Sequence, residues 1–255
     1  MTTTPTGSNT TEPIDPPEVD AAAWRAARLD HLAAEKAFTA ARDELTEARR
    51  ALPWLAIIDD YRFTQRTPDG DVERTLADLF DGNDQLLVYH FMMGPDWEEG
   101  CPSCSFWADN YDGTLEHLAA RNTALVAVSR APVEAIEDYR ARMGWRFPWV
   151  SSLGSEFNFD LGVSFTAEQV ESGEADYNFG TGTFGGPEAP GLSAFRRLPP
   201  TETDGPDRVY LTYQTFARGL DMLNGTYHLL DVTSLGRDEA DLPWPMAWLR
   251  RHDRY

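Results

Sequence analysis

The spacing of apolar residues changes period several times along this chain, and each change marks an element. From Ala21 to Leu52 no glycine or proline intervenes. Trp24, His31, Phe38, Leu45 and Leu52 recur every seven residues, with Ala27, Ala34, Ala41 and Ala48 three positions later. This seam of large and small residues predicts one long helix over 21–52. Asp20 is placed to cap its start, and Pro53 ends it because the ring cannot continue a helix. The seam admits two readings: the helix clamps onto its own domain, or it pairs with a second subunit in a homodimer. Residues 1–20 hold Thr, Pro, Gly, Ser and acids with almost no large aliphatic residues, which predicts a disordered tail.

Past Pro53 the period shortens. Tyr61 to Thr67 and Val72 to Thr75 read as strands around a turn at Pro68–Asp71, where Gly70 supplies a positive φ. Leu76 to Phe80 reads as a helical turn. Gln85 to Met92 is apolar without alternation, as expected of a strand covered on both faces of a parallel sheet. Cys104 to Ala120 reads as helix, interrupted at Gly113. Thr123 to Ser129 is the next buried strand, Pro132 to Met143 a helix ended by Gly144, and Phe147 to Ser151 a short strand. Strand, helix, strand, helix, strand is the α/β pattern with right-handed crossovers. Further on, Ala167 to Gly173 reads as a short helix. Leu192–Leu198 and Val209–Thr215 read as a hairpin across a long polar turn containing Gly205 and Pro206. Phe216 to Leu223 is a short helix, Tyr227 to Val232 a last strand, and Trp244 to Arg251 a terminal helix. The expected organisation is a tail (1–20), a helix (21–52) and one domain (53–255).

Composition narrows the classes. At 255 residues, 42% hydrophobic and 25% charged, the chain is ordinary for a globular protein. Its formal net charge of −20 argues against nucleic acid and anionic membrane as partners. No apolar run approaches the roughly 20 residues of a membrane span. The first 20 residues lack the basic and apolar parts of a secretory signal, so a cytoplasmic location is expected. In that compartment a lone cysteine pair is redox-active or metal-bound more often than a structural staple.

That pair is Cys101 and Cys104, where the central strand gives way to a helix after a loop holding Gly94, Pro95 and Gly100. Unpaired backbone N–H groups at a helix start stabilise a thiolate on the first cysteine. The second, one turn later, can attack a mixed disulfide formed on the first. Cys101 is therefore the candidate nucleophile and Cys104 the resolving thiol, with Pro102 at the first helical turn, where its missing donor is harmless. His90 is a candidate proton partner for a thiol, or else a bonded core histidine. Trp97, Phe106 and Trp107 are expected to wall the site. Asp96, Glu98 and Glu99 crowd the loop, and carboxylates facing inward would raise the pKa of Cys101. Zinc would want a second pair of ligands and finds none at ligand spacing; an inert structural pair is the other competing reading. No metal and no cofactor are expected. Gly180-Thr181-Gly182-Thr183-Phe184-Gly185 matches a dinucleotide fingerprint in letters only, since no strand precedes it and prolines follow where a helix should start.

With these residues in hand, the chain resembles the DUF899 family of thioredoxin-like proteins from about Trp24 to Tyr255. The carrying segments include Leu52-Pro53-Trp54, Tyr89-His90-Phe91-Met92, Gly100-Cys101-Pro102-Ser103-Cys104-Ser105-Phe106 and Gly144-Trp145-Arg146-Phe147-Pro148-Trp149. Phe157-Asn158-Phe159-Asp160, Ala217-Arg218-Gly219 and Gly236-Arg237-Asp238-Glu239 add to them. The resemblance implies a thioredoxin or peroxiredoxin-like three-layer α/β core with a long N-terminal helix and C-terminal additions, and a redox role at Cys101 and Cys104. Leu211 stands where the family's pattern suggests a histidine. Thioredoxin-like folds place a cis-proline opposite the cysteines, ahead of a later strand; Pro190 is the first candidate for that docking position and Pro148 the second.

The reading that follows is a dithiol–disulfide oxidoreductase acting on a protein or small-molecule thiol or disulfide, with Cys101 attacking and Cys104 resolving. A thiol peroxidase is the alternative, although Gly94 and Glu98 occupy the Pro and Thr positions of the peroxiredoxin signature before Cys101. A non-catalytic binding protein on the same fold is the third.

Overall fold

The computed structural model describes residues 16–199 and 208–255, so the tail expected over 1–20 lies mostly outside the described residues, as do Gly205 and Pro206. Helix α1 (Ala21–Arg50) starts where expected, with the Asp20 carboxylate accepting the Ala23 N–H at 2.8 Å. It buries none of its residues. Trp24, Phe38 and Leu45 are more than 60% exposed. Near its end, the Arg49 guanidinium lies over the Tyr213 ring. The clamp onto its own domain is thus corrected: the seam faces away from the core. Pairing with another subunit is the reading that needs the stripe free.

Eight strands form the main sheet in the order β1-β10-β9-β4-β5-β6-β2-β3. They are β1 (Leu55–Ile57), β2 (Arg62–Thr67), β3 (Gly70–Thr75), β4 (Gln85–His90), β5 (Thr123–Ser129), β6 (Trp149–Ser151), β9 (Gly191–Leu198) and β10 (Arg208–Phe216). A small separate ribbon joins β7 (Asp176–Tyr177) to β8 (Gly182–Thr183). β4, β5 and β6 run parallel. On its other edge β4 meets β9 in antiparallel register, Val88 opposite Ser193, so the central strand is flanked by one parallel and one antiparallel neighbour. A strand carrying a Cys-x-x-Cys at its end, a helix, a parallel strand and then an antiparallel hairpin beside the first strand make a thioredoxin-like core.

Alternation along β4 divides the interior. Tyr89 and Phe91 belong to one apolar cluster with Ala127, Trp149 and Leu192, packed under α2 (Pro102–Ala108) and α4 (Val133–Met143). Leu86 and Val88 belong to the opposite cluster with Val126, Val128, Phe80, Phe195 and Phe157, the last on α5 (Phe157–Asp160). Leu76–Phe80 contributes a 3-10 turn, Asp78–Phe80, on that side.

Several expected elements differ. The helix after the cysteines stops at Ala108; a 3-10 turn spans Asp112–Thr114 around Gly113, and α3 (Leu115–Ala119) follows. Ala167–Ser172 is the helix expected there, α6, opened by a capping box at Thr166 and ended at Gly173. Tyr227–Val232 is no strand: α7 spans Gly225–Leu230, because the Asn224 side chain accepts the Tyr227 N–H and starts a helix. Trp244–Arg251 forms turns rather than a helix, with prolines at 243 and 245, and a 3-10 turn at His252–Arg254 closes the chain.

The division of labour between core and α1 is testable in urea unfolding followed by circular dichroism. Phe80→Ala, at a fully buried site, is expected to cost about 3–5 kcal/mol. Phe38→Glu on the exposed stripe should shift domain stability by no more than about 0.5 kcal/mol.

Candidate active site

The loop after β4 returns to its own strand end before the cysteine helix begins. The Cys101 N–H donates to Met92 O at 3.0 Å, and the Met92 N–H points at Cys104 Sγ at 3.4 Å. The backbone of one residue, Met92, therefore holds both cysteines. Gly100 is required by space: a Cβ there would lie 2.5 Å from Phe91 and 2.8 Å from Tyr139. Cys101 is the N-cap of α2 and Pro102 its first residue, exposed and lacking only a donor the helix does not use.

Both cysteines are free thiols. Cys101 is half-buried; Cys104 is buried. The Cys101 thiol is pulled below the ordinary range, first by a hydrogen bond from the Cys104 thiol, then by the Cys104 and Ser103 N–H groups and the Ser103 hydroxyl. Burial opposes this and loses. Cys104 is pushed well above the ordinary range by burial, then by its bond to Cys101 and by that neighbour's charge. The pair thus holds one proton between two sulfurs, resting on Cys104, and the exposed member is the thiolate.

The loop carboxylates do not crowd the thiolate. Asp96 and Glu98 are exposed. Glu99 is held by Arg142, Arg254 and, at 2.9 Å, Arg251. The Arg142 hydrogen bond in particular keeps Glu99 below the usual carboxylate range. Arg251 also donates to Gly100 O at 2.6 Å and to the Tyr139 hydroxyl at 2.9 Å. Tyr139 is 2.8 Å from the Ser105 hydroxyl, which donates to Cys101 O at 2.9 Å. Loop, helix start and chain end are one hydrogen-bonded unit.

His90 is removed from the chemistry. It lies on the face of β4 opposite Tyr89, its Nε2 2.8 Å from Ser193 Oγ and its ring against Phe157. Burial drives its pKa down to about 3, so it stays neutral. Its Nδ1 has no hydrogen-bond partner among the described residues. Asp109, on the cysteine helix, turns outward and accepts from Trp145 Nε1 and pairs with His252.

A cavity of about 650 Å³ opens at Cys104. Trp107 and Pro190 are among its lining residues, whereas Pro102 and Phe106 are not. Nor is Trp97: its indole lies against Gly94 and packs on the apolar cluster that holds Cys104. No cis peptide occurs among the described residues, so neither Pro190 nor Pro148 is a cis-proline. Residues the sequence did not single out complete the lining, among them Tyr89, Ser103, Tyr177, Leu220 and Tyr227. Tyr89 was legible, two strand positions from Phe91 on the thiol face; Leu220 and Arg251 carry no local signal, since each reaches the site from more than 100 residues away in sequence. No group of three or more His, Cys, Asp or Glu is placed to hold a metal, and no helix is long and apolar enough to cross a membrane, among the described residues.

A family model described as "Bacterial protein of unknown function (DUF899)" matches residues 13–255. No curated protein matches the chain. Among solved structures, it is similar to reduced Prx3 from Vibrio vulnificus in complex with H2O2, at 14% identity and TM-score 0.42, over 65% of this chain and 88% of that one. It is similar to peroxidoxin BcpB from Mycobacterium tuberculosis at 13% identity and TM-score 0.43, over 69% and 98%. The mitochondrial 2-Cys peroxiredoxin from Plasmodium falciparum gives 12% identity and TM-score 0.41, over 68% and 92%.

Two outcomes check the site's electrostatics. Iodoacetamide should label Cys101 before Cys104, with a pH midpoint below the roughly 8.5 of a free thiol. The rate should hold above that midpoint and fall as pH drops through it, and Ser103→Ala should move the midpoint up. For His90 the unfolded pKa is about 6.5 and the folded one about 3, so on acidification the unfolded chain takes the proton first. Its contribution to stability is present above about pH 6.5 and lost as pH falls toward 3. His90→Asn should flatten that part of the acid unfolding curve and leave Cys101 alkylation unchanged.

Proposed function

This chain belongs to the DUF899 family, and we propose that the work of its vicinal cysteines is reversible dithiol–disulfide exchange. The observation that carries this reading is geometric: Cys101 caps the start of α2 and Cys104 lies buried one turn later, both free thiols held by the backbone of Met92, with the acidity of Cys101 raised and that of Cys104 lowered. In the forward direction the Cys101 thiolate attacks a substrate S–S bond and one substrate thiolate leaves. Cys104 then gives up its proton and attacks Cys101 Sγ. The Cys101–Cys104 disulfide forms as the second substrate sulfur leaves and takes that proton. Two electrons pass from the dithiol to the substrate, and an external thiol returns them. No cofactor takes part. A reducing compartment, the cytoplasm, keeps the pair in its attacking form.

One observation favours a second reading, the thiol peroxidase. Glu98 supplies no hydroxyl, but Ser103 does, as a donor to the Cys101 sulfur. Attack of the Cys101 thiolate on a peroxide would break its O–O bond, leaving a sulfenic acid on Cys101 while the other oxygen departs as the alcohol or water after protonation. Cys104 would then condense with the sulfenic acid, forming the disulfide and releasing water.

The Cys101–Cys104 couple, titrated in a glutathione redox buffer and read by alkylation and mass, should equilibrate near the cytosolic poise. A potential below about −300 mV would mark a structural bond instead. Cys101→Ser should abolish disulfide reduction, whereas Cys104→Ser should accumulate a mixed disulfide on Cys101. Peroxide consumption faster than disulfide reduction would favour the second reading.

A further inference from the structure

The cavity beside the thiol pair has a closed wall that the exchange reading does not require. Its floor is the thiol side: Tyr89, Met92, Ser103 and Cys104. Much of the remaining wall is supplied by the chain after β10, with Leu220, Tyr227 and Met246 facing the cysteine helix. That wall is fixed rather than draped. Leu220 O accepts the Trp107 indole N–H at 2.8 Å. Glu239 accepts from the Tyr227 hydroxyl, the Met246 N–H and the Trp248 indole within 3.1 Å. Arg237 lies 3.8 Å over the Tyr227 ring and pairs with Asp221 and Asp231. A volume of about 650 Å³ with a mostly apolar, aromatic lining falls within the range of sites for small molecules.

The charged groups at its edge are committed to one another. Arg237 spans two aspartates, Arg218 pairs with Asp221, and Glu239 is filled by three donors. Three carboxylates face two guanidiniums there, in a chain whose net charge is already −20. Among the described lining residues both guanidiniums are already paired with carboxylates, so an anionic substrate would meet more negative than positive charge there.

Resting on the exchange reading, we infer that the substrate is a small, neutral, largely apolar disulfide, and that its organic half sits in this cavity. Cys101 is not itself a lining residue, but Ser103 and Cys104, which follow it at the start of α2, are, so a substituent carried on Cys101 Sγ in the mixed disulfide is placed to extend past them into this space. The balance is R–S–S–R plus the dithiol giving two RSH and the Cys101–Cys104 disulfide. The first leaving thiolate takes its proton from solvent and the second takes the one Cys104 releases. Leu220 sets the size of the group accepted.

The test mixes reduced full-length protein in stoichiometric amount with three oxidants: diphenyl disulfide, its para-dicarboxylate, and insulin. Formation of the Cys101–Cys104 bond is followed by quenching and mass. Diphenyl disulfide should react at least about tenfold faster than either other oxidant, each rate taken relative to the same oxidant with free cysteine. Leu220→Trp should slow diphenyl disulfide by about tenfold or more while leaving iodoacetamide labelling of Cys101 unchanged. Should that variant not fold, Leu220→Ala is expected to shift preference toward a bulkier dinaphthyl disulfide. Insulin or the dicarboxylate reacting as fast as diphenyl disulfide, or indifference to both variants, overturns the assignment. Binding of the non-reducible diphenyl sulfide, measured by calorimetry, separates the two failures. If no oxidant forms the Cys101–Cys104 bond but the sulfide binds and Leu220→Trp abolishes binding, exchange fails and the cavity assignment stands. If the sulfide does not bind, the cavity assignment falls even where exchange is observed.

Discussion

The arrangement of the site depends on two sulfurs of unequal acidity held by the backbone of a single residue. Met92 lies two residues past the end of the central strand, and both of its backbone groups are spent on the cysteines: its carbonyl takes the Cys101 N–H, and its N–H faces Cys104 Sγ. Strand β4 has neighbours on both sides and apolar clusters on both faces, so its end is a stiff reference point. Burial by itself raises the pKa of every thiol it reaches. What separates these two is the direction of the hydrogen bonds. Those from Cys104 and Ser103 converge on Cys101, and Cys104 pays with its own proton. Shifting the loop by one position would hand the Met92 groups to other residues and undo that choice.

An acidic chain that keeps a thiolate must manage its own carboxylates. Three lie within five residues of Cys101, and simple proximity predicts that they oppose ionisation. The fold turns two of them out to solvent and places the third, Glu99, among the guanidiniums of Arg142, Arg251 and Arg254. Arg142 in turn holds Asp253, so α4 and the chain terminus are clamped together across the loop. Partly buried, multiply paired charges of this kind keep their geometry better than lone surface pairs. The last residues of the chain therefore anchor the first residues of the cysteine helix.

Much of the core could be read from the sequence because its signals are local. Thr123–Ser129 is a run of strand-forming residues with turn residues on both sides, and it folds as β5 over that same span. Asp20 and Pro53 bracket a sequence of strong helix formers, and α1 follows. The face of His90 was also legible: strand alternation sets it opposite Tyr89, and therefore away from the cysteines. The misread elements are short apolar runs, where helix and strand patterns cannot be told apart. Tyr227–Val232 has the composition of a strand, and the Asn224 cap decides otherwise. The site's outer wall was not legible at all. The Trp107–Leu220 and Arg251–Gly100 contacts join positions 113 and 151 residues apart, and nothing near either residue announces its partner.

Hydrogen bonds to a thiolate stabilise the reduced pair alone, because a disulfide sulfur accepts far more weakly. Each donor to Cys101 therefore makes the couple more oxidising, and the Ser103 hydroxyl and the two N–H groups all act in that direction. The burial of Cys104 acts the other way: a thiol that resists ionisation is a slow attacker once the first bond has formed. The two terms divide the reaction between them. The donors at Cys101 favour the first attack and a good leaving sulfur in reverse, while burial of Cys104 lengthens the life of the mixed disulfide. A longer-lived intermediate has consequences only if its substituent has somewhere to stay, and the space next to Cys104 is an apolar cavity rather than open solvent. In the proposed exchange, the packing that buries Cys104 and would slow its attack is the same packing that lines the space proposed for the substituent.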